Sequence, residues 1–176
     1  MRYLPKYLEY LNKGAANKIY NIDDDWILKT PLGLSQSLLN LKTEKEILNY
    51  FITHINIMKN YPEIFPKIKV LDRMKTRVAV EKVDVEEAKK QIEHIYYYLY
   101  NYMPSIRYDN FLDYIISEEG VKFLPDLQEG DEICQNWFNF ITKLRNTELF
   151  KKQRYIDAHD ENFGIDKNGD IKLIDF

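Results

Sequence analysis

Three polar side chains near the end of the chain have the types and spacing of a metal-and-base site. Asp157 and Asn162 lie five residues apart, and Asp175 follows an apolar run thirteen residues after Asn162. A turn signal centred on Gly169 predicts a β-hairpin between them, with strands at 162–166 and 170–174. A loop and a hairpin can bring a general base, an amide oxygen and a carboxylate to one point, which suits a magnesium ion and a phosphate. The alternative interpretation is a polar turn with Asx-type caps.

A lysine in the first half of the chain could supply the cation of such a site. Lys29 closes a predicted strand at 26–30, which follows a strand at 19–22 and a turn of three aspartates. Apolar periodicity predicts a helix over residues 38–59. Glu44 shares the apolar face of that helix, whereas Glu46 should be more exposed. We therefore expect Lys29 to reach phosphate oxygens and Glu44 to hold it, with Glu46 as the second choice, although each alone is typical of a solvated charge.

A run of small and polar residues precedes these strands. It extends from Gly14 through Ala15, Ala16 and Asn17 to Lys18. Backbone N–H groups of such a run can bind phosphate oxygens because small residues let the backbone approach closely. A plain hairpin turn is the alternative. The chain contains no Walker A, G-x-S-x-G or H-E-x-x-H motif, so those nucleotide-binding and hydrolase classes have no support.

Composition restricts the remaining classes. The 176 residues are 45% hydrophobic and 30% charged, which is typical of a globular protein with one core or two small lobes. A net charge of −3 argues against general nucleic-acid binding. No apolar run has the length of a membrane span, and the N-terminus lacks the pattern of a signal peptide. The single cysteine, Cys134, is expected to be a buried thiol in a reducing cytoplasm, and the three scattered histidines predict no zinc site.

The remaining elements divide the chain into two halves. Strands are predicted at 68–71 and 77–83, joined by a polar turn. The second half is predicted to be helical over 85–103, irregular over 104–130, and helical again over 131–149. The fold class expected from this order is α+β, with a strand-rich part at 1–83 and a mainly helical part at 84–176.

The ordered set of segments resembles the protein-kinase-like superfamily. GAANKIYNIDDDWILKT resembles the family's phosphate loop and lysine strand, and TEKEILNYF resembles the start of its glutamate-bearing helix. VAVEKVD is similar to the hinge strand. YIDAHDENFGIDKNGDIKLIDF is similar to the catalytic loop D-x-x-x-x-N and the metal-binding strand. The resemblance covers nearly the whole chain.

This resemblance implies a two-lobed fold with ATP and Mg²⁺ as cofactors. The N-lobe would be residues 1–83, an antiparallel sheet with one helix, and the truncated, mainly helical C-lobe would be residues 84–176. Asp157, Lys29 and Glu44 would be catalytic, and Asn162 and Asp175 would bind the metal. The residues implied for nucleotide binding are Gly14, Ala15, Asn17, Lys29, Glu81 and Val83.

Two departures from the family pattern refine the expectation. Tyr155-Ile156-Asp157 stands where the family has H-R-D, so regulation by a phosphorylated activation loop is not expected. His159 lies two residues after Asp157, which makes the segment 157–162 similar to the D-x-H-x-x-N loop of aminoglycoside and choline kinases. Because the sequence stops at Asp175-Phe176, it resembles the very short kinases of phages and bacterial effectors, or a truncated sequence.

The function expected from the resemblance is transfer of the ATP γ-phosphate to a hydroxyl, by a minimal protein serine/threonine kinase. The alternatives are a small-molecule kinase of the aminoglycoside or choline type, a pseudokinase that acts as a binding module, and an α+β domain whose motif matches are accidental. The expected partners are a protein substrate or a small hydroxyl acceptor, without nucleic acid or membrane, and a protein partner could bind the helical lobe. The expected location is the cytoplasm, of a host cell if a phage or effector encodes the chain.

Overall fold

The chain folds into two compact units of mixed α+β structure. The computed structural model describes residues 10–13, 17–31, 43–152 and 158–174. The first unit comprises the described residues within 1–62 and 66–82, and the second those within 63–65 and 83–176. The boundary after Lys82 lies one residue before the division expected from the sequence, and the short segment 63–65 belongs to the second unit.

The first unit contains a five-stranded antiparallel sheet with the order β1-β2-β3-β5-β4. The four strands predicted at 19–22, 26–30, 68–71 and 77–83 are confirmed as β2, β3, β4 and β5. The aspartate turn between β2 and β3 is also confirmed, because Asp23 Oδ1 accepts the N–H groups of Asp25 and Trp26. The strands are β1 (Tyr10–Lys13), β2 (Asn17–Asn21), β3 (Trp26–Pro31), β4 (Ile68–Val70) and β5 (Val78–Glu81).

The helix of the first unit, α1 (Glu44–Asn60), begins later than its apolar periodicity predicts. The predicted start at residue 38 is wrong for a continuous helix, since Thr43 is the N-cap and has an extended backbone (φ −139°, ψ 151°). Thr43 and Glu46 form a capping box, which satisfies N–H groups of the first turn. The predicted apolar face is confirmed because four side chains of α1 are buried: Ile47, Phe51, Ile55 and Met58.

Helices make up most of the second unit. The prediction of irregular structure over 104–130 is wrong, because two helices of six residues form there. The helix predicted over 131–149 is divided into two helices, because Thr147 has an extended backbone (ψ 149°). The first long helix ends at Leu99, short of the predicted residue 103. The helices are α2 (Val85–Leu99), α3 (Phe111–Ile116), α4 (Leu124–Glu129), α5 (Glu132–Asn146) and α6 (Glu148–Lys152).

The predicted β-hairpin is confirmed and lies within the helical unit. It consists of β6 (Phe163–Ile165) and β7 (Ile171–Leu173), and its turn places Gly169 at φ +85°. Phe163 packs edge-to-face against Trp137 and Phe140 of α5, which buries the hairpin on that helix. Among the described residues, no helix combines the length and apolarity that a bilayer span requires.

Candidate functional site

Several of the site residues expected from the sequence lie outside the described residues. This group comprises Asp157, Asp175, Gly14 and Ala15. It also includes the side chain of Asn17, whose backbone begins β2. The described part of the candidate site therefore consists of Lys29, Glu44, Glu81, Val83 and Asn162. The first three belong to the first unit and the last two to the second.

Lys29 is a buried lysine in the middle of the sheet. It lies on β3 opposite Ile19 of β2 and Val78 of β5, and its side chain is only 5% exposed. Lysine is rarely buried unless its ammonium group has partners, because desolvation of a charge is unfavourable. Lys29 thus places a positive charge inside the first unit, on the strand where the resemblance expects the phosphate-binding lysine.

The expected partner of Lys29 is placed elsewhere. Glu44 is exposed in the first turn of α1 and makes no ion pair with another described residue. Glu46 is also exposed, and its Oε2 accepts the Thr43 N–H at 2.9 Å as part of the capping box. The structure therefore does not bring Glu44 to Lys29 as an ion pair, since the side chain of Glu44 is exposed.

Glu81 and Val83, expected to meet adenine through backbone groups, differ in what their backbones bond. The Glu81 N–H donates to Lys67 O at 2.8 Å, and its buried carboxylate lies 3.5 Å from Lys67 Nζ. The backbone N–H and C=O of Val83 make no hydrogen bond with another described residue. Val83 therefore offers a backbone donor and acceptor, whereas the N–H of Glu81 is committed to its own sheet.

Asn162 lies in a tight turn that neighbouring elements hold in place. The 3₁₀ turn Asp160–Asn162 is closed by the Asn162 N–H, which donates to His159 O at 3.0 Å. Before it, the Ala158 N–H donates to Asp113 Oδ1 of α3 at 3.1 Å. Asn162 is 9% exposed, so its amide is largely removed from water. The segment that follows Asp157 is thus anchored to α3 and to the hairpin.

The hairpin brings Asn162 next to the residue before Asp175. Ile174 donates its backbone N–H to Asn162 O at 2.7 Å. The other end of the hairpin pairs with the start of α2, because Asp84 and Ile165 exchange two backbone hydrogen bonds. Gly164 lies so close to Val83 that an added Cβ would stand 2.2 Å from Val83 Cγ2. The close approach of these backbones explains the glycine at position 164.

A buried ion pair in the hairpin was not expected from the sequence. The Asp166 carboxylate accepts the N–H groups of Asn168 and Asp170 at 2.8 and 3.0 Å. Lys172 Nζ lies 3.9 Å from Asp166 Oδ2 and 3.5 Å from Glu63 O, and both side chains are more than nine-tenths buried. The signal that could have found it is the aspartate two residues before Asn168-Gly169, which is typical of an Asx turn. The two hydrogen bonds to Asp166 close the turn of the hairpin.

His159 lines a cavity of about 170 Å³ in the second unit. The polar groups of the cavity are His159, Tyr108, Asp109 and Asp160, and its apolar floor comes from Ile92, Leu112 and Ala158. Burial raises the pKa of Tyr108, and the carboxylates of Asp160 and Glu93 raise it further. The phenol therefore stays protonated. Of the two aspartates of the cavity, Asp109 pairs with Arg107, whose Nη2 lies 3.3 Å from Asp109 Oδ2.

A second cluster of ligand-type side chains, also absent from the sequence expectations, lies where α2 contacts α5. One atom each from His94, Asp131 and Cys134 lies within 4.8 Å of the others. The hydrogen bond from the Cys134 N–H lowers the pKa of Asp131, and that of His94 adds to the effect. Burial raises the pKa of Cys134 to about 11. Residues 94 and 131 are too far apart in sequence for a spacing motif to reveal the cluster.

Comparison with known proteins adds no relative: no family model and no curated protein matches the chain.

Proposed function

We propose that the chain is an ATP-dependent phosphotransferase with a two-lobed protein-kinase-like fold, and that it acts as a minimal protein serine/threonine kinase. The observation that carries the proposal is the hydrogen bond of the Ile174 N–H to Asn162 O, because it joins the residue that precedes Asp175 to the asparagine of the D-x-x-x-x-N motif. The motif D-x-x-x-x-N followed by an acid needs this convergence to bind one metal ion. The α+β composition and the antiparallel sheet around Lys29 are compatible with this fold.

The chemistry of the donor set suits magnesium. Asn162 supplies an amide oxygen and Asp175 a carboxylate, and Mg²⁺ prefers oxygen ligands that include one or two carboxylates. A bound Mg²⁺ would neutralise charge on the phosphate oxygens. Asp157 would accept or orient the proton of the attacking hydroxyl, while Asn162, held in its turn by His159 O, would keep that loop in position.

Lys29 and the hinge residues would bind the nucleotide. The buried ammonium group of Lys29 would contact the α- and β-phosphates, and its burial would strengthen that interaction relative to water. For Glu44, or Glu46 as the second choice, to pair with Lys29, the start of α1 would shift when nucleotide binds. Val83 would pair with adenine through the backbone groups that make no hydrogen bond with another described residue. Glu81 would contribute only its carbonyl oxygen, because its N–H donates to Lys67 O.

A small-molecule kinase is the second candidate, and one observation favours it. The cavity beside His159 is large enough for a small polar group, and its lining includes the carboxylate of Asp160 and that of Asp109, which pairs with Arg107. A cationic hydroxyl compound, such as an amino sugar or choline, would suit these charges.

A pseudokinase would instead bind ATP without transferring phosphate.

The test is transfer of labelled γ-phosphate by the purified chain with Mg²⁺. The acceptors are the chain itself, a generic protein such as casein, an aminoglycoside and choline. Asp157→Asn should lower transfer by at least about 100-fold, since it removes the proton acceptor. Asp170→Asn is the matched control, because Asp170 is an exposed aspartate of the same stretch, and it should retain full transfer. Transfer by Asp157→Asn at the rate of the parent would refute the assignment, and nucleotide binding without transfer would leave the pseudokinase.

A further inference from the structure

The second unit contains a cluster with all three ligand types of a zinc site. His94 lies on α2, whereas Asp131 is the N-cap of α5 and Cys134 lies three residues later in its first turn. The N-cap position and the third helical position face the same side, which brings the carboxylate and the thiol together. The His94 imidazole reaches them from the neighbouring helix, with Nε2 2.7 Å from Asp131 Oδ2.

We propose that His94, Asp131 and Cys134 form a binding site for a divalent transition-metal cation of the zinc class, separate from the magnesium site of the proposed phosphotransferase. Nitrogen, oxygen and sulfur ligands together favour Zn²⁺ over Mg²⁺, which prefers oxygen. The proposal does not depend on the proposed function, because none of the three residues belongs to the proposed phosphotransferase site.

The distances require only a small adjustment. Zinc bonds of about 2.0–2.3 Å at tetrahedral angles place the ligand atoms about 3.3–3.6 Å apart. The three ligand atoms already lie within 4.8 Å of one another, and the Nε2–Oδ2 pair at 2.7 Å would open by about 0.6 Å. Asp131 Oδ1 can keep its hydrogen bond with the Cys134 N–H at 3.0 Å while Oδ2 turns to the cation.

Burial and charge also suit a cation. His94 and Asp131 are 41% and 52% exposed, so a cation can enter and a water molecule can complete its coordination, whereas Cys134 is fully buried. Binding replaces the Cys134 S–H bond with a metal–sulfur bond and releases the proton to solvent. A thiolate and a carboxylate then balance the two charges of the cation. The backbone of Gly130 packs closely against the thiol, because an added Cβ there would stand 2.9 Å from Sγ.

The test is titration of the full chain with Co²⁺, followed by competition with Zn²⁺ and with Mg²⁺. Three protein ligands that include sulfur should give intense visible bands and a sulfur-to-cobalt charge-transfer band in the near ultraviolet. Zn²⁺ should abolish both, and Mg²⁺ should leave both unchanged. A cobalt ion at the oxygen-ligated site near Asn162 would give no charge-transfer band, so the two sites are distinguishable.

Variants assign the ligands. Cys134→Ser should abolish the charge-transfer band, and the exposed His94→Gln, which leaves the core intact, should weaken Co²⁺ binding at least 10-fold. His54→Gln is the matched control for chance binding by a histidine and should bind as the parent does. Absence of the charge-transfer band in the parent would overturn the proposal, as would equal Co²⁺ affinity in the parent and His94→Gln. In either case, His94 and Asp131 would form only a hydrogen bond between two helices.

Discussion

Ile174 donates its backbone N–H to the carbonyl oxygen of Asn162 at 2.7 Å, and this bond joins the two ends of the hairpin region. Asn162 precedes β6 and Ile174 follows β7, so pairing of the strands extends by one bond beyond the hairpin itself. Leu173, one residue earlier, donates to Ile64 O at 2.8 Å. Together the two bonds hold the backbone N–H groups of Leu173 and Ile174. These two residues directly precede Asp175 in the sequence, the proposed magnesium ligand.

The first prediction concerns the buried ammonium group of Lys29. Lys29→Met keeps the length of the side chain but removes the charge, so we expect the fold to persist and the affinity for ATP with Mg²⁺ to fall at least about 10-fold. The measurement is the shift of the thermal unfolding midpoint with increasing ATP. Lys18→Met, on the neighbouring strand β2, is the matched control and should respond to ATP as the parent does. Equal responses of the two variants would contradict a phosphate-binding role of Lys29.

The second prediction concerns the contact between Gly164 and Val83. A Cβ at position 164 would stand 2.2 Å from Val83 Cγ2 and 2.7 Å from Val83 Cβ. We therefore expect Gly164→Ala to lower the free energy of unfolding in urea by about 1–3 kcal/mol. In a Val83→Ala background the nearer of these contacts is removed, so the same change should be less destabilising. An equal loss in both backgrounds would show that this contact is not the cause.

A third prediction separates backbone strain from packing at Gly169. This glycine has φ +85°, and an added Cβ would meet no atom within 4 Å. Gly169→Ala should therefore lower the free energy of unfolding by about 1 kcal/mol through the backbone alone. Gly169→Asn should be less destabilising, since asparagine adopts positive φ more readily than alanine. The measurement is urea unfolding of both variants, and the opposite ranking would contradict the explanation.

The ion pair of the hairpin carries the fourth prediction. Asp166→Ala would remove the acceptor of two backbone N–H groups and leave the buried Lys172 without this carboxylate. We expect a loss of about 3 kcal/mol in the free energy of unfolding. Glu148→Ala removes an exposed carboxylate that pairs with Lys151, and its effect should stay within about 0.5 kcal/mol. Similar losses in the two variants would mean that burial does not set the strength of the hairpin pair.

The fifth prediction is a pH dependence in the turn between β4 and β5. Burial by itself would raise the pKa of Asp72, but hydrogen bonds from the Thr76 hydroxyl and N–H, with the charge of Arg77, bring that pKa below 3.8. Because the pKa is lowered on folding, the charged carboxylate stabilises the turn above about pH 4, and this stabilisation is lost as the pH falls through the folded pKa.

Thr76→Val should therefore raise the pKa of Asp72, measured by NMR titration of its carboxyl carbon. Arg77→Gln should raise it less, since the hydroxyl bond outweighs the charge of Arg77. The variant Thr76→Val should also lose stability relative to the parent at pH 7, and the difference should shrink towards pH 2. An unchanged pKa in Thr76→Val would contradict the role of its hydroxyl.

Local patterns predicted the elements whose signals lie within a few residues. Alternation and turn residues located β2, β3 and the hairpin, and helical periodicity located the buried face of α1. The same patterns failed for α3 and α4, because a helix of six residues is too short to show periodicity, and Gly120 and Pro125 indicate irregular structure. Helix ends also differed, since Thr43 and Thr147 adopt extended conformations that periodicity does not reveal.

The sequence by itself determined the types and order of the candidate groups, because residue chemistry and spacing are properties of the chain: Lys29 on a strand, Asn162 before a hairpin, and Asp175 after it. Only the tertiary structure decided which of them are buried and which neighbours they have. Lys29 is buried on a central strand, Glu44 is exposed in the first turn of α1, and Ile174 reaches Asn162 through a hydrogen bond beyond the paired strands. The assembly of His94 with Cys134 likewise depends on two helices that contact each other, which no local pattern encodes.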